Sequence, residues 1–467
     1  MKHFTPAYPR PRDKRAPLWT LFRSARHSWM DALYERSYHM QMGEVHLPGV
    51  DLYMVNDPVE VKRVLADQAA QFPKSALLAD ALRPLLGDSI FTTNGATWRR
   101  QREMMNPAFA QARLEASFPV MAAAVQALLE RLRQATRVGG AVDMEIEMTH
   151  VTADVIFRTI FSEPLAGRDA HRVFDAFARF QALAPRLMLP ALFGVRWLVW
   201  PWTVLRSRRA AAEIRHLLAQ LIRPRHEAWL AGDTMGKSDI LAAFMAARDG
   251  ATGEPFGFEE LVDQVAMLFL AGHETSASAL GWATYLLANA PDVQERVHAE
   301  AVAAMARRPP AQGDMKEMPL TRNVFRETLR LFPPVGFIAR ESAQACPMRD
   351  KTVTAGASVV ISPWLIHRHS ARWTEPDAFD PDRFDDEGNR DALRHAYLPF
   401  GMGPRVCLGA AFALQEATLI LACVLREFRL APVPGHTPMP VGRLTIRSDS
   451  GVRLRISRRE DQEEPSR

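Results

Sequence analysis

The sequence predicts a mainly α-helical fold, a large helical lobe with a small β-rich one, on three observations. Apolar residues spaced three and four apart recur along most of the 467 residues. The longest such run, Glu259 to Asn289, is unbroken until Pro291 stops it. Runs with β character are short and confined to two regions, Glu44–Leu47 with Leu52–Val55, and Val353 with Val359–Ile361.

Taken in order, Asp57-Pro58 opens an amphipathic helix through Ala66, since proline is pre-set for a first helical turn. Asn94-Gly95 punctuates the entry to a helix over Thr97–Phe109. Further helices fit Val120–Leu132, Thr149–Ile160, Leu165–Leu183 and Val204–Leu230, the last with a kink expected at Pro224. Gly250–Gly257 is a polar, glycine-rich connector. After the long run come Asp292–Met305 and Thr321–Leu331, the latter ended by Pro333-Pro334. Ser370–Leu398 is rich in Asp, Pro and Arg without periodicity, and so long an irregular stretch either has a function or covers one. A final helix spans Leu408 to about Phe428. With no internal repeat and no convincing linker at Gly43 or Pro432, the reading is one domain over 1–467, with an N-terminal arm over 1–40 and a disordered tail over 456–467.

Composition narrows the function. Apolar residues make up 48% and charged residues 24%, ordinary for a globular chain. A net charge of +5 is too mild over this length to imply nucleic acid. Cys346, Cys407 and Cys423 are too few for a disulfide framework or a four-cysteine zinc or iron–sulfur site, which fits a reducing, cytoplasmic setting. Met1–Arg36 lacks the apolar core of a signal peptide, and no stretch of ~20 residues is apolar throughout. The nearest candidate, Leu187–Leu205, holds Arg196, Pro190 and Pro201. With Trp197, Trp200 and Trp202 it reads as an apolar access lip, a shallow peripheral membrane contact, or plain packing between two helices.

The most informative segment is Phe400 to Gly409. Phe400, Gly403, Arg405, Cys407 and Gly409 fall in the register F-x-x-G-x-R-x-C-x-G directly before an apolar helix. Helix N-terminal amides stabilise a thiolate, Arg405 adds positive charge, and Gly401, Gly403 and Gly409 let the backbone approach something large and flat. At this point the chain resembles the cytochrome P-450 family, of the soluble bacterial type with fatty-acid-hydroxylase-like motifs, whose axial haem ligand is the cysteine of this loop. Ala271-Gly272-His273-Glu274-Thr275-Ser276 agrees independently with that family's A/G-G-x-D/E-T pattern. An acid beside an alcohol in an apolar helix is costly unless used. Threonine can bond back to the preceding turn, and Gly272 leaves room for a ligand against the helix wall.

The resemblance implies haem b between the long helix and the one after the cysteine loop. Cys407 would be the iron ligand, and Glu274 and Thr275 the proton-delivering pair. Trp98 and Arg102, four apart on a helix, and Arg340 and Arg405 would meet the haem propionates. Glu327 and Arg330, three apart, with Arg383 would lock the irregular segment beneath the haem, an aspartate (Asp382) standing where the family more often has glutamate. His273 is expected to be solvated or hydrogen-bonded, and His367 to make a propionate or structural contact. The implied reaction is insertion of one oxygen atom of O2 into a lipophilic substrate, a fatty acid, terpenoid, steroid or carotenoid. Too few residues follow Cys407 for a flavin domain, so the expected electron source is a separate ferredoxin or flavodoxin with its reductase. Arg99, Arg100, Arg322 and Arg326 are candidates for its basic docking face, on a chain expected to be monomeric. Two alternatives are a haem-thiolate peroxygenase or isomerase, disfavoured by the intact Glu274–Thr275 pair, and a non-catalytic haem sensor, in which that pair would be idle.

Overall fold

A computed structural model describes residues 3–459 apart from 15, 26, 48–49, 166–171, 182, 184–200, 234 and 307. Among the described residues the long helices are α1 (Ala76–Leu86), α2 (Gly95–Met105), α3 (Gln111–Val138), α4 (Met144–Phe161), α5 (Pro201–Leu230), α6 (Phe258–Asn289), α7 (Pro291–Met305), α8 (Pro319–Leu331) and α9 (Ala410–Glu427). Four strands form the main sheet in the order β1 (Met42–Leu47), β2 (Val50–Val55), β7 (Ser358–Ile361), β4 (Ile338–Glu341). The β2–β7 pair is parallel and the outer pairs antiparallel.

Helix α6 is the axis of the molecule. Its residues are buried on every side from Leu261 to Leu270 and again from Ser276 to Ala288, the pattern of a helix enclosed by others rather than lying on a surface. Helix α4 packs along it, capped by Asp143, whose carboxylate accepts from the Glu145 amide at 3.0 Å. Helix α9 carries a continuous buried run from Glu416 to Leu425 into the same core.

Helix α5 runs from Pro201 to Leu230 with Pro224 inside it, as the sequence reading has it apart from three more residues at the start. Three elements differ from that reading. The helix opened by Asp57 continues past Lys62 as a π-helical turn over Arg63–Asp67, which lies against the cysteine loop. The sequence reading has no strand beyond Ile361 and none at Ala141, yet β8 (Phe428–Pro432) and β3 (Ala141–Asp143) flank β11 (Arg453–Arg458), and β9 (Pro440–Gly442) pairs with β10 (Ile446–Ser448). Ile456 pairs with Leu430 and Arg458 with Phe428, so the disordered tail expected from 456 does not begin there.

The N-terminal arm is built into the core. Trp29 is 5% exposed and lies 4.2 Å from Phe337 between ring centroids. Of Leu187–Leu205, residues 187–200, with Trp197 and Trp200, lie outside the described residues; Trp202 is 68% exposed on the first turn of α5. No helix among the described residues is long and apolar enough to cross a membrane.

Candidate cofactor and oxygen-activation site

The cysteine loop is shaped by glycine and anchored by backbone bonds. Gly401 and Gly403 adopt φ of +74° and +73°, which glycine reaches without strain. A Cβ at Gly403 would sit 2.2 Å from the Leu65 carbonyl oxygen. Gly403 is therefore needed for contact with the π-helical turn of the protein itself. The Cys407 amide donates to Phe400 O at 3.0 Å, and Gly409 caps α9.

Cys407 is solvent-accessible, while the surrounding protein pushes the thiol pKa up. The Gly409 amide and the Arg102 guanidinium oppose this and favour thiolate without outweighing burial. Bonding to a metal ion would reverse that balance.

Four cations gather beside the loop. Arg102 Nη1 donates to Val406 O at 2.8 Å. Arg405 Nη1 donates to Ala69 O at 2.8 Å, and its guanidinium lies 5.3 Å from the Trp98 ring. Lys74, which the sequence reading missed, faces the same indole at 5.7 Å and bridges through its backbone to Arg340 on β4. Among the described residues no carboxylate contributes to the electrostatics of any of the four. Burial, reinforced by mutual repulsion, pushes the Lys74 pKa down to about 7 and that of Arg340 to about 10. The buried Nε atoms of Arg340 and Arg405 have no hydrogen-bond partner. All four are half-buried and reach backbone carbonyls but no carboxylate among the described residues. Positive charge left without a counter-charge in partly dry surroundings is costly, so this quartet beside a cysteine fits a macrocycle carrying two carboxylates. Arg102, Arg340, Arg405 and Trp98 come together as expected.

On α6, Ala271 is exposed and Thr275 half-buried, although the helix on either side is enclosed. Thr275 Oγ1 donates to Ala271 O at 2.7 Å, the expected bond back to the preceding turn. A Cβ on Gly272 would lie 3.1 Å from Ile156 Cδ1, so its missing side chain makes room for α4. His273 is 1% exposed, hydrogen-bonded to the Phe269 carbonyl, and its pKa is pushed down to about 4 by burial. Glu274 is buried, which raises its pKa against the pull of Arg447.

Glu416 on α9 is a second buried carboxyl that the sequence reading passed over. Burial pushes its pKa up to about 8, with the Ser276 hydroxyl hydrogen-bonded to it across the α6–α9 contact. A carboxyl whose folded pKa exceeds its unfolded value of about 4.3 gives stability that is complete at low pH and lost as pH rises through the folded pKa. Stability should therefore fall between about pH 5 and pH 8, by up to about 1.4 kcal/mol per unit from this group. Glu416→Gln should gain on the wild type over that range in thermal melts. Parallel melting curves would refute the assignment.

Glu327, Arg330 and Arg383 are paired and buried. Glu327 and Arg330 form a double hydrogen bond at 2.8 Å, both side chains 0% exposed, and Arg383 Nε reaches the same carboxylate at 3.3 Å. His367 is structural: Nε2 accepts from the Leu398 amide at 2.8 Å, which leaves Nδ1–H to donate to Arg330 O. Two of the expected docking arginines are engaged within the protein, Arg100 with Glu260 and Arg326 over the Phe384 ring at 4.1 Å.

The family model for cytochrome P450 matches residues 17–449. The chain is 33% identical to cyclooctatin synthase of Streptomyces melanosporofaciens over 87% of each protein. It is 29% identical to pentalenene oxygenase of Streptomyces avermitilis over 94% of each. Cyclooctat-9-en-7-ol 5-monooxygenase of Streptomyces melanosporofaciens is 32% identical over 85% of this chain and 84% of that one. A solved mutant of the cytochrome P-450DA heme domain superposes with a TM-score of 0.80 at 27% identity, covering 91% of this chain and 92% of the other. The chain belongs to the cytochrome P-450 family, the haem-dependent monooxygenases that combine O2, a lipophilic substrate and electrons from a redox partner.

Proposed function

We propose that this monooxygenase binds haem b (iron protoporphyrin IX) through Cys407 and oxygenates a cyclic terpenoid. The observation that carries the cofactor assignment is the quartet Lys74, Arg102, Arg340 and Arg405, half-buried beside Cys407 without a carboxylate partner among the described residues. Bound there, the haem would supply O2 activation, with electron density pushed onto iron by the cysteine thiolate. The four cations would neutralise two propionates, with the Trp98 ring packed between Lys74 and Arg405. Ala271 would form the apolar wall that keeps water from the reacting carbon. Thr275 and Glu274 would hold protons on the O2 side of the cleft.

Of the four substrate classes the sequence leaves open, the relatives named for pentalenene and cyclooctat-9-en-7-ol support the terpenoid. Electrons would come from a separate ferredoxin or flavodoxin with its reductase, to a monomer in the cytoplasm. Arg99, exposed on α2, is the candidate contact for that carrier.

The test is optical. The reduced protein with carbon monoxide should give a strongly red-shifted Soret band. The ferric protein, titrated separately with pentalenene, lauric acid, progesterone and β-carotene, should turn from low to high spin most completely with pentalenene. Conversion by lauric acid alone would overturn the terpenoid assignment, and a carbon monoxide complex without the red shift would overturn thiolate ligation.

A further inference from the structure

Helix α6 alone does not determine where the Glu274 carboxyl lies. Thr445, in the turn between β9 and β10, donates from Oγ1 to Glu274 Oε1 at 2.8 Å, and the two residues are 4% and 6% exposed. The turn is itself fastened to α6. The Ser278 hydroxyl and Trp282 Nε1, one and two turns beyond Glu274, both donate to Ile446 O. The Ile446 amide in turn donates to Pro334 O at 3.1 Å. Thr445 is thus held by its neighbour at a fixed height along α6, opposite the acid. Glu274 Oε2 is buried and has no hydrogen-bond partner. Thr445 therefore supplies the sole protein hydrogen bond that fixes this carboxyl among the described residues.

The next cation along the strand points the same way. Arg447 on β10 lies 3.2 Å from Glu145 and 3.2 Å from the Thr149 hydroxyl, both on α4. Its charge favours the ionised form of Glu274, against burial. Thr445 and Arg447 therefore bring to one buried carboxyl a directional donor and a fixed positive charge, both from the C-terminal hairpin.

We infer that Thr445 is a positioning residue for the acid of the acid–alcohol pair, holding the Glu274 carboxyl turned toward the β9–β10 hairpin. The inference rests on the reading of Glu274 as a proton-holding group. A hydroxyl that donates to one carboxyl oxygen selects one rotamer and leaves the second oxygen, which no protein group engages, open to exchange a proton with another partner. A side chain of equal shape without the hydroxyl would keep the packing and lose the selection.

The experiment is infrared difference spectroscopy of the purified, haem-loaded protein. The Glu274 carboxyl stretching band is identified by its disappearance in Glu274→Gln. In Thr445→Val the band should move, as expected when a carboxyl oxygen loses a hydrogen bond. Thr445→Ser should restore the wild-type position, and both variants should remain folded and haem-loaded. An unmoved band in Thr445→Val would overturn the inference. So would a band displaced equally in Thr445→Ser and Thr445→Val, which would point to packing rather than the hydroxyl. Failure of the underlying reading is seen separately. If reductant-driven oxygen consumption with a surrogate ferredoxin is the same in Glu274→Gln as in wild type, Glu274 holds no proton that the reaction uses, whatever Thr445 does to its band.

Discussion

Cys407→Ser should fold like the wild type, lose the red-shifted carbon monoxide band completely, and show no oxygen-dependent turnover. The loop does not depend on sulfur for its shape. Its conformation is set by two positive-φ glycines, the Cys407 amide bonded to Phe400 O at 3.0 Å, and the Arg102 and Arg405 guanidiniums bonded to backbone carbonyls at 2.8 Å. A serine hydroxyl can accept from the Gly409 amide as the thiol does, so stability should change by no more than about 0.5 kcal/mol. What serine cannot supply is a thiolate, the ligand that pushes electron density onto iron. The other two cysteines are the control. Cys346 and Cys423 are both buried, and Cys423 lies deep in α9 with its thiol pKa pushed up to about 12. Serine at either should leave the band in place. A red-shifted band in Cys407→Ser would refute the ligand assignment outright.

Much of this site was legible in the sequence because its chemistry is local. The cysteine loop carries its glycines, arginine and cysteine within ten residues, and the acid–alcohol pair stands out in an otherwise apolar helix. Their helices were legible for the same reason: Glu259–Asn289 is bounded by proline and apolar on all faces, so no tertiary information is needed to find it. The rest depends on contacts between residues distant in the chain. Lys74 is an ordinary lysine after Phe-Pro until the fold sets it against Trp98 and backs it onto Arg340. Thr445 sits in a short loop between two three-residue strands, with nothing local to distinguish it. Gly272 is intermediate. Glycine in a helix signals close approach, and the packed structure adds that Ile156 of α4 lies against it. Glu416 did leave a signal, as the lone acid in the apolar run from Leu408 to Leu425. A single carboxyl at such a position must be neutral or paired.

Glu327→Ala should cost about 3–5 kcal/mol of stability, the range for removing one partner from a buried ion pair. One carboxylate here serves two guanidiniums. It takes two hydrogen bonds from Arg330 at 2.8 Å, one from Arg383 at 3.3 Å and one from the Asp380 amide at 3.1 Å, and Glu327 and Arg330 are wholly buried. Without it two positive charges remain in the interior, where water cannot replace the lost partner. The damage should also reach the haem site. Arg330 donates to His367 O at 2.8 Å, and His367 in turn accepts from the Leu398 amide at 2.8 Å. The Leu398 carbonyl then receives the Gly401 amide at 3.2 Å, at the entry to the cysteine loop. Loosening the first link should therefore lower haem retention as well as the melting temperature. The exposed pair Arg296–Asp382, at 2.7 Å and with both side chains about half exposed, provides the contrast. Asp382→Asn should cost no more than about 1 kcal/mol, because water screens an exposed pair. Equal melting temperatures for Glu327→Ala and Asp382→Asn would mean that burial of the trio contributes nothing, and the route from Glu327 to Cys407 would lose its support.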